Sequence, residues 1–164
     1  MNVADLLELL HVAPRRYTIV SARVRCRKNS FDRWGRTNEL PQTDETFEVR
    51  VEERPGGTGR ANPFPHQHFE WGQCAFDPNV VIPELWLEPV GRTRVAGREA
   101  IAVRATPRAT THDYFVLPMR ADRYELAVDG ERGVLLRLKC LVNGNEALVY
   151  EVERIAFDGD ALDP

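Results

Sequence analysis

Three runs of alternating apolar and polar residues between positions 123 and 158 constrain the fold of this chain more than any other feature. In the first run, Tyr124, Leu126 and Val128 alternate with charged or small residues, which is the period of two expected of a half-buried β-strand. Turns that contain glycine separate the runs, so the stretch is predicted to form three antiparallel strands. This pattern specifies an antiparallel sheet, and it does not specify a reaction.

The register of the last hairpin follows from which face each side chain must take. A two-residue loop within 143–145 would set Arg137 opposite Tyr150 and mix the apolar and polar faces. A three-residue loop instead pairs Leu138 with Tyr150 and Arg137 with Glu151. Because a slip of one residue turns every side chain to the opposite face, the three-residue loop is predicted.

Length and composition are those of one ordinary globular domain, predicted to span residues 1–164. The formal charge of −3 gives no general attraction to nucleic acid. The three cysteines, Cys26, Cys74 and Cys140, form no Cys-x-x-Cys pair, so free thiols and a reducing compartment are expected. No export signal and no transmembrane segment are predicted either, and the protein is expected to be cytoplasmic.

Two short helices are predicted outside the strands. The first covers residues 3–11 with Asn2 as its N-cap, and the second lies near 78–86, where Asp77 and Pro78 form a typical helix start. The apolar residues predicted to share the buried face of the first helix are Val3, Leu6, Leu7 and Leu10.

A basic stripe on the strand predicted over 17–28 has two interpretations. Arg23 and Arg25 share one face of this strand with Arg27, which is compatible with a phosphate-binding surface. The pattern favours a solvated strand face instead, because Glu48 and other acidic residues on the next strand can lie opposite the arginines.

Four segments resemble one family in their order and composition. They are Phe-Asp-Pro-Asn-Val-Val-Ile-Pro-Glu-Leu at 76–85, the segment at 87–100, Ala-Asp-Arg-Tyr-Glu-Leu-Ala-Val-Asp-Gly-Glu-Arg-Gly-Val-Leu-Leu-Arg at 121–137, and Glu-Arg-Ile-Ala-Phe-Asp at 153–158. Together they resemble actinobacterial proteins of the LolA/LolB-like (lipoprotein-localisation-factor-like) superfamily. The resemblance implies an α+β fold in which a strongly curved, unclosed antiparallel sheet forms a half-barrel with helices on its concave side. It also implies binding of acyl chains or lipoproteins, or a sensor role.

Two groups of residues have the types needed for metal binding or catalysis. His66, His68 and Cys74 are residue types that bind zinc, but their spacing is non-specific and a surface loop is favoured. His112 beside Asp113 has the composition of a base and its orienting carboxylate, but no nucleophile motif accompanies it. No catalytic residue, metal site or cofactor is therefore predicted.

The function predicted from these features is non-enzymatic binding of a hydrophobic small molecule, such as an acyl chain, or of a peptide on the concave face. The alternative is a protein–protein interaction or regulatory module that forms a homodimer or docks a partner through a sheet edge or an aromatic patch. The side chains predicted to line the ligand site are Phe47, Val49, Trp71, Trp86, Leu126 and Tyr150.

Overall fold

A computed structural model describes most of the chain. The described residues are 1–13, 16–29, 42–52, 69–80, 82–108, 117 and 121–158. Their helical elements are α1 (Val3–Val12), α2 (Phe69–Phe76) and two 3-10 turns (Pro78–Val80 and Ile82–Glu84). None of the described helices is long and apolar enough to span a bilayer.

The strands form one seven-stranded sheet in which every neighbouring pair is antiparallel. They are β1 (Ile19–Lys28), β2 (Thr43–Glu52), β3 (Leu85–Val95), β4 (Arg98–Pro107), β5 (Arg123–Asp129), β6 (Leu135–Val142) and β7 (Asn145–Phe157). The spatial order is β2-β1-β7-β6-β5-β4-β3, so β2 and β3 form the two edges. The predicted α+β half-barrel, a curved sheet that does not close, is confirmed.

The two faces of the sheet differ in chemistry. One row of paired residues on the concave face runs across β4, β5, β6 and β7, through Val103, Leu126, Leu138 and Tyr150, all of them buried. The convex face carries ion pairs between neighbouring strands. Two arginines of its basic stripe, Arg23 and Arg25, pair with acidic neighbours, and the side-chain pairs of this face are Arg23 with Glu48 and Glu153, Arg25 with Asp44, Arg137 with Glu151, and Lys139 with Glu146. This supports the solvated-face interpretation of the arginines.

β-Bulges contribute to the curvature of the sheet. The register shifts at one point in each of four strand pairs, and a bulge bends the strand that carries it. As a result, the tip of the β3–β4 hairpin curls back toward the end of β7, where the Arg98 guanidinium lies 5.1 Å from the centre of the Phe157 ring. Arg98 also forms an ion pair with the fully buried Asp129 at the end of β5.

The first helix begins as predicted but buries a different face. The Asn2 side chain accepts a hydrogen bond from the backbone N–H of Asp5 at 2.9 Å, and Asp5 accepts one in return from Asn2, which completes a capping box. Leu9 is buried together with Leu6 and Leu10, whereas Val3 and Leu7, predicted to share the buried face, are exposed. The helix therefore lies on the sheet along the stripe of residues three and four apart that Leu6, Leu9 and Leu10 form.

The second predicted helix is helical but differs in type and length. Residues 78–86 contain the two 3-10 turns, and β3 already begins at Leu85. The α-helix in this part of the chain is α2, one element earlier, where no helix was predicted. Pro83 within the second turn lacks the N–H that an α-helix would need there.

The last hairpin has the predicted pairing but a shorter turn. Leu138 pairs with Tyr150, and Arg137 pairs with Glu151, as the parity argument required. The loop, however, has two residues, Asn143 and Gly144, both with positive φ (51° and 80°). The register shifts by one residue between Cys140 and Leu141, so the two-residue loop gives the same pairing beyond the shift as the predicted three-residue loop.

Candidate binding site

An aromatic cluster covers the middle of the concave face. The Trp71 indole of α2 is fully buried and stacks on the Tyr150 ring, with centroids 5.3 Å apart and ring planes 24° apart. Phe47 and Phe76 contact the same indole edge-on, at 6.4 and 5.7 Å. Helix α2 therefore places its largest side chain where an apolar ligand of the sheet would lie.

Five of the six predicted ligand-lining residues are on this side of the molecule. Val49, Trp71, Leu126 and Tyr150 are buried, and Phe47 is partly buried against the core. The structure thus brings these side chains together in one hydrophobic core. Because Trp71 already fills the space between them, a ligand on this face would have to displace α2.

The sixth residue, Trp86, does not belong to this cluster. It lies on β3, the edge strand opposite β2, and 62% of its surface is exposed. Leu85 and Leu87 on either side of it are buried and partly buried in the core, so the alternation of the strand turns Trp86 to the convex face. The prediction placed Trp86 in a helix, where this alternation does not apply.

Trp86 is held beside a cation. The guanidinium carbon of Arg108 lies 4.1 Å from the centre of the Trp86 ring, a cation–π arrangement. Arg108 is fixed from below by two hydrogen bonds, from Nε to the Leu85 carbonyl oxygen at 3.0 Å and from its backbone N–H to the Glu84 carbonyl oxygen at 2.9 Å. The exposed indole is therefore oriented by the protein itself.

The side of β3 that faces away from β4, here called the β3 edge, has no partner strand among the residues that the structure describes. β3 is eleven residues long. Val90 lies at the bulge between Pro89 and Gly91, opposite no residue of β4, and is 50% exposed. The edge thus combines unpaired backbone with two exposed apolar side chains, Trp86 and Val90. Neither Val90 nor Arg108 was predicted from the sequence to belong to a site.

A pocket of about 560 Å³ lies next to the β3 edge at the hairpin tip. Its walls include Pro89, Arg92 and Ile101, together with the turn that follows β5. This turn is built on Asp129, whose Oδ1 accepts hydrogen bonds from the backbone N–H groups of residues 131 and 132 at 2.9 and 2.7 Å. The pocket wall is therefore a fixed part of the fold.

The described residues contain few groups suited to catalysis. Burial raises the pKa of Cys26 to about 11 and raises that of Cys140 as well, so both thiols are protonated at neutral pH. No group of three metal-ligating side chains occurs in the described part of the chain. His66, His68, His112 and Asp113 lie outside the described residues, as does the side chain of Cys74.

Comparison with known proteins gives structural neighbours but no family. No protein-family model matches the sequence, and no curated protein matches it. A chain of the Pseudomonas aeruginosa MucA/MucB complex aligns with 96% of this chain and 57% of its own length, at 20% identity and a TM-score of 0.58. A chain of MucB in complex with MucA(peri) aligns with 98% of this chain and 57% of its own, at 18% identity and a TM-score of 0.60. The likeness shows the fold.

This chain spans a little over half the length of the MucB-related chains that it matches. A LolA superfamily protein from Nitrosomonas europaea also aligns, over 98% of this chain and 96% of its own, at 7% identity. Its TM-score of 0.34 is too low to carry an argument. The actinobacterial affiliation stays a prediction.

Proposed function

We propose that this protein is a non-enzymatic binding module that docks an extended segment of a partner protein along the β3 edge. The observation that carries the proposal is the exposure of Trp86 and Val90 on a long strand that, among the described residues, has a partner strand on one side only. An added strand would pair with the free N–H and C=O groups of β3 and cover both side chains.

Edge strands of this kind are uncommon in proteins that have no partner for them. Natural sheets keep their edges short, charged or covered, because an open apolar edge pairs with other chains. β3 is protected only in part, by Pro89 and the bulge beside it. The stretch before the bulge carries Trp86, and tryptophan is among the residues most enriched at the energetic centres of interfaces.

The structural neighbours support a binding role for this fold. MucB has been seen in complex with MucA, so a related fold binds a protein partner. The two described free cysteines, Cys26 and Cys140, are buried with raised pKa values, so neither thiol is available as a nucleophile. The identity of the partner is a separate question, because the likeness covers only part of the MucB chain.

Selection of peptides from a random twelve-residue library, followed by affinity measurement on variants, would test the proposal. Trp86→Ser and Val90→Ser should each weaken the selected peptides about tenfold or more, because each removes apolar area from the docking surface. Leu7→Ser is the matched control, since Leu7 is also an exposed apolar residue but lies on α1. Equal affinity in Trp86→Ser and the parent protein would reject the β3 edge as the docking surface.

A homodimer is one way to occupy the same edge. Two copies joined through β3 would give a concentration-dependent mass in light scattering that Trp86→Ser abolishes. A strict monomer would exclude this form of the proposal and leave docking of a different protein.

A second candidate is the binding of an acyl chain on the concave face. It is favoured by the uniformly apolar row under α2, because each buried methylene would contribute about 0.8 kcal/mol. Trp71 would have to leave Tyr150 to make room. In a variant carrying Trp34→Phe and Trp86→Phe, Trp71 is the only indole, and palmitate should shift its emission to the red. Unchanged emission up to the solubility limit of palmitate would exclude this candidate.

Cytoplasmic localisation also stays a proposal. It rests on cysteine usage, since Cys26 and Cys140 are free thiols in the described core. Fractionation of the source cells would test it, and recovery of the protein from an exported fraction would overturn it.

A further inference from the structure

We propose that the segment docked on the β3 edge is acidic as well as apolar, with one carboxylate placed to pair with Arg92. The inference rests on the proposed function and concerns the chemistry of the partner.

The β3–β4 ribbon is basic in an acidic protein. Between Leu85 and Arg108 the sequence contains five arginines and two glutamates, a net charge of +3, whereas the whole chain has a formal charge of −3. A basic strand at the margin of an acidic protein attracts acidic segments, whereas pairing β3 with β3 of a second copy would set two basic strands against each other.

Ion pairing within the ribbon leaves specific cations available. Glu88 pairs with Arg104 at 3.0 Å, and Glu99 pairs with Arg94. Both glutamates of the ribbon are therefore already neutralised by their neighbours.

The acids at the end of β5 are ion-paired as well. Arg98 forms ion pairs with Asp129 and, at 3.1 Å, with Glu131, and Glu131 also lies 3.7 Å from Arg132. Within the described part of the chain, Arg92 is exposed and makes no ion pair, although acidic side chains line the same pocket. Arg92 is thus the cation of the β3 edge that still needs an anion.

The alternation of β3 determines where the partner's side chains would lie. Trp86 is on the convex face, whereas Arg92 pairs with Ile101 and lines the pocket beside it. The two residues are six positions apart, roughly 20 Å along the strand. A docked segment of seven or more residues would therefore place an apolar side chain against Trp86 and extend a carboxylate into the pocket at Arg92.

A second carboxylate has a natural position beside Trp86. The Arg108 guanidinium covers one side of the indole ring. A partner residue that packs next to this ring comes close to a cation that is only partly covered. Aromatic or aliphatic residues flanked by aspartate or glutamate match this surface.

The peptides selected on the parent protein are the probes for this inference. Aspartate and glutamate should be enriched among them, and replacing their acids by glutamine should lower affinity about tenfold in 50 mM salt, with a smaller loss at 500 mM. Arg92→Gln should remove the contribution of one of these acids, and combining it with replacement of that one acid should cost little more, because both changes remove the same ion pair. Arg27→Gln is the matched control, since Arg27 is also exposed and without an ion pair in the described structure but lies on β1.

The outcomes separate this inference from the proposed function. Peptides that lose affinity in Trp86→Ser but show no acidic preference would overturn the acidic partner and leave docking at β3 intact. An equal loss in Arg92→Gln and Arg27→Gln would overturn it too, because the attraction would then be general. If the affinity of the peptides is the same for Trp86→Ser and the parent protein, both docking at the β3 edge and the acidic partner are contradicted.

Discussion

Trp71 stacks on Tyr150 with the ring centroids 5.3 Å apart, and this contact fills the centre of the curved sheet. The Trp71 indole of α2 therefore occupies the position on the sheet where a bound apolar ligand would lie. The β3 edge, by contrast, has no partner strand among the described residues, and Trp86 is exposed there. One tryptophan is thus part of the core, and the other is exposed on an edge strand.

Replacement of the two tryptophans should have unequal effects on stability. Trp71→Ala is expected to lower the free energy of unfolding by about 3–5 kcal/mol, because it opens a cavity between α2 and the sheet. Trp86→Ala should cost less than about 1 kcal/mol, since it removes an exposed ring and one cation–π contact. Urea unfolding followed by circular dichroism measures both. A larger loss in Trp86→Ala would show that the core has been assigned wrongly.

Gly133 should tolerate no side chain, because α1 lies directly over it. Its φ is +77°, and a Cβ there would lie 2.5 Å from the Leu9 carbonyl oxygen. Gly133→Ala is expected to cost clearly more than Gly144→Ala. Gly144 is the matched control, since its φ is also positive (+80°) but a Cβ would meet nothing within 4 Å, which leaves only the backbone strain of about 1–2 kcal/mol. Equal losses by urea unfolding would mean that α1 does not pack here.

Stability should fall in acid partly through Asp158. Its carboxylate accepts hydrogen bonds from the backbone N–H and the hydroxyl of Thr18, at 2.7 and 3.1 Å, and these bonds lower the pKa of Asp158. A lowered folded-state pKa means that the stabilisation is present above the unfolded value of about 3.9 and is lost as the pH falls through the folded value. Asp158→Asn should be less stable than the parent at pH 7, with the difference shrinking below pH 4. A difference that stays constant in urea titrations from pH 7 to pH 2 would contradict this linkage.

The buried thiols should resist alkylation. Burial raises the pKa of Cys26 to about 11, and Cys140 is raised in the same direction, so neither thiolate is populated at pH 8. Peptide mapping after treatment with iodoacetamide at pH 8 should find both residues unmodified in the folded protein and fully modified in 6 M guanidinium chloride. Rapid modification of Cys140 in the folded protein would be incompatible with its position in the core.

The sequence was sufficient to predict the sheet but not its bulges. Strand faces follow from parity, which is why the pairs Leu138–Tyr150 and Arg137–Glu151 were predicted correctly. The three-residue loop was wrong because the extra residue, Ala147, lies in a bulge of β7 opposite Cys140 and Leu141 instead. Such a bulge cannot be detected in the alternating pattern. One extra residue gives the same pairing of the strands beyond it whether that residue lies in the turn or in the strand.

The candidate site was harder to predict because it depends on where elements begin. Aromatic residues around Trp71 are compatible with a strand or a helix when the apolar run is short. Trp86 was assigned to the end of a helix, whereas β3 starts one residue before it. Once Leu85 and Leu87 are known to face the core, the exposure of Trp86 follows at once. Arg92 could be recognised as an unpaired cation among the described residues only when the ion pairs of the neighbouring arginines were known, and only the folded structure shows those pairs.

Hydrogen exchange of the backbone amides, with and without a selected peptide, tests the central claim most directly. Docking by strand addition would slow exchange in β3, between Leu85 and Arg92, because its free N–H groups would enter hydrogen bonds with the peptide. Exchange in β2, the other edge strand, should not change. Protection confined to β2 or to α2, with β3 unaffected by saturating peptide, would contradict the assignment of the binding surface.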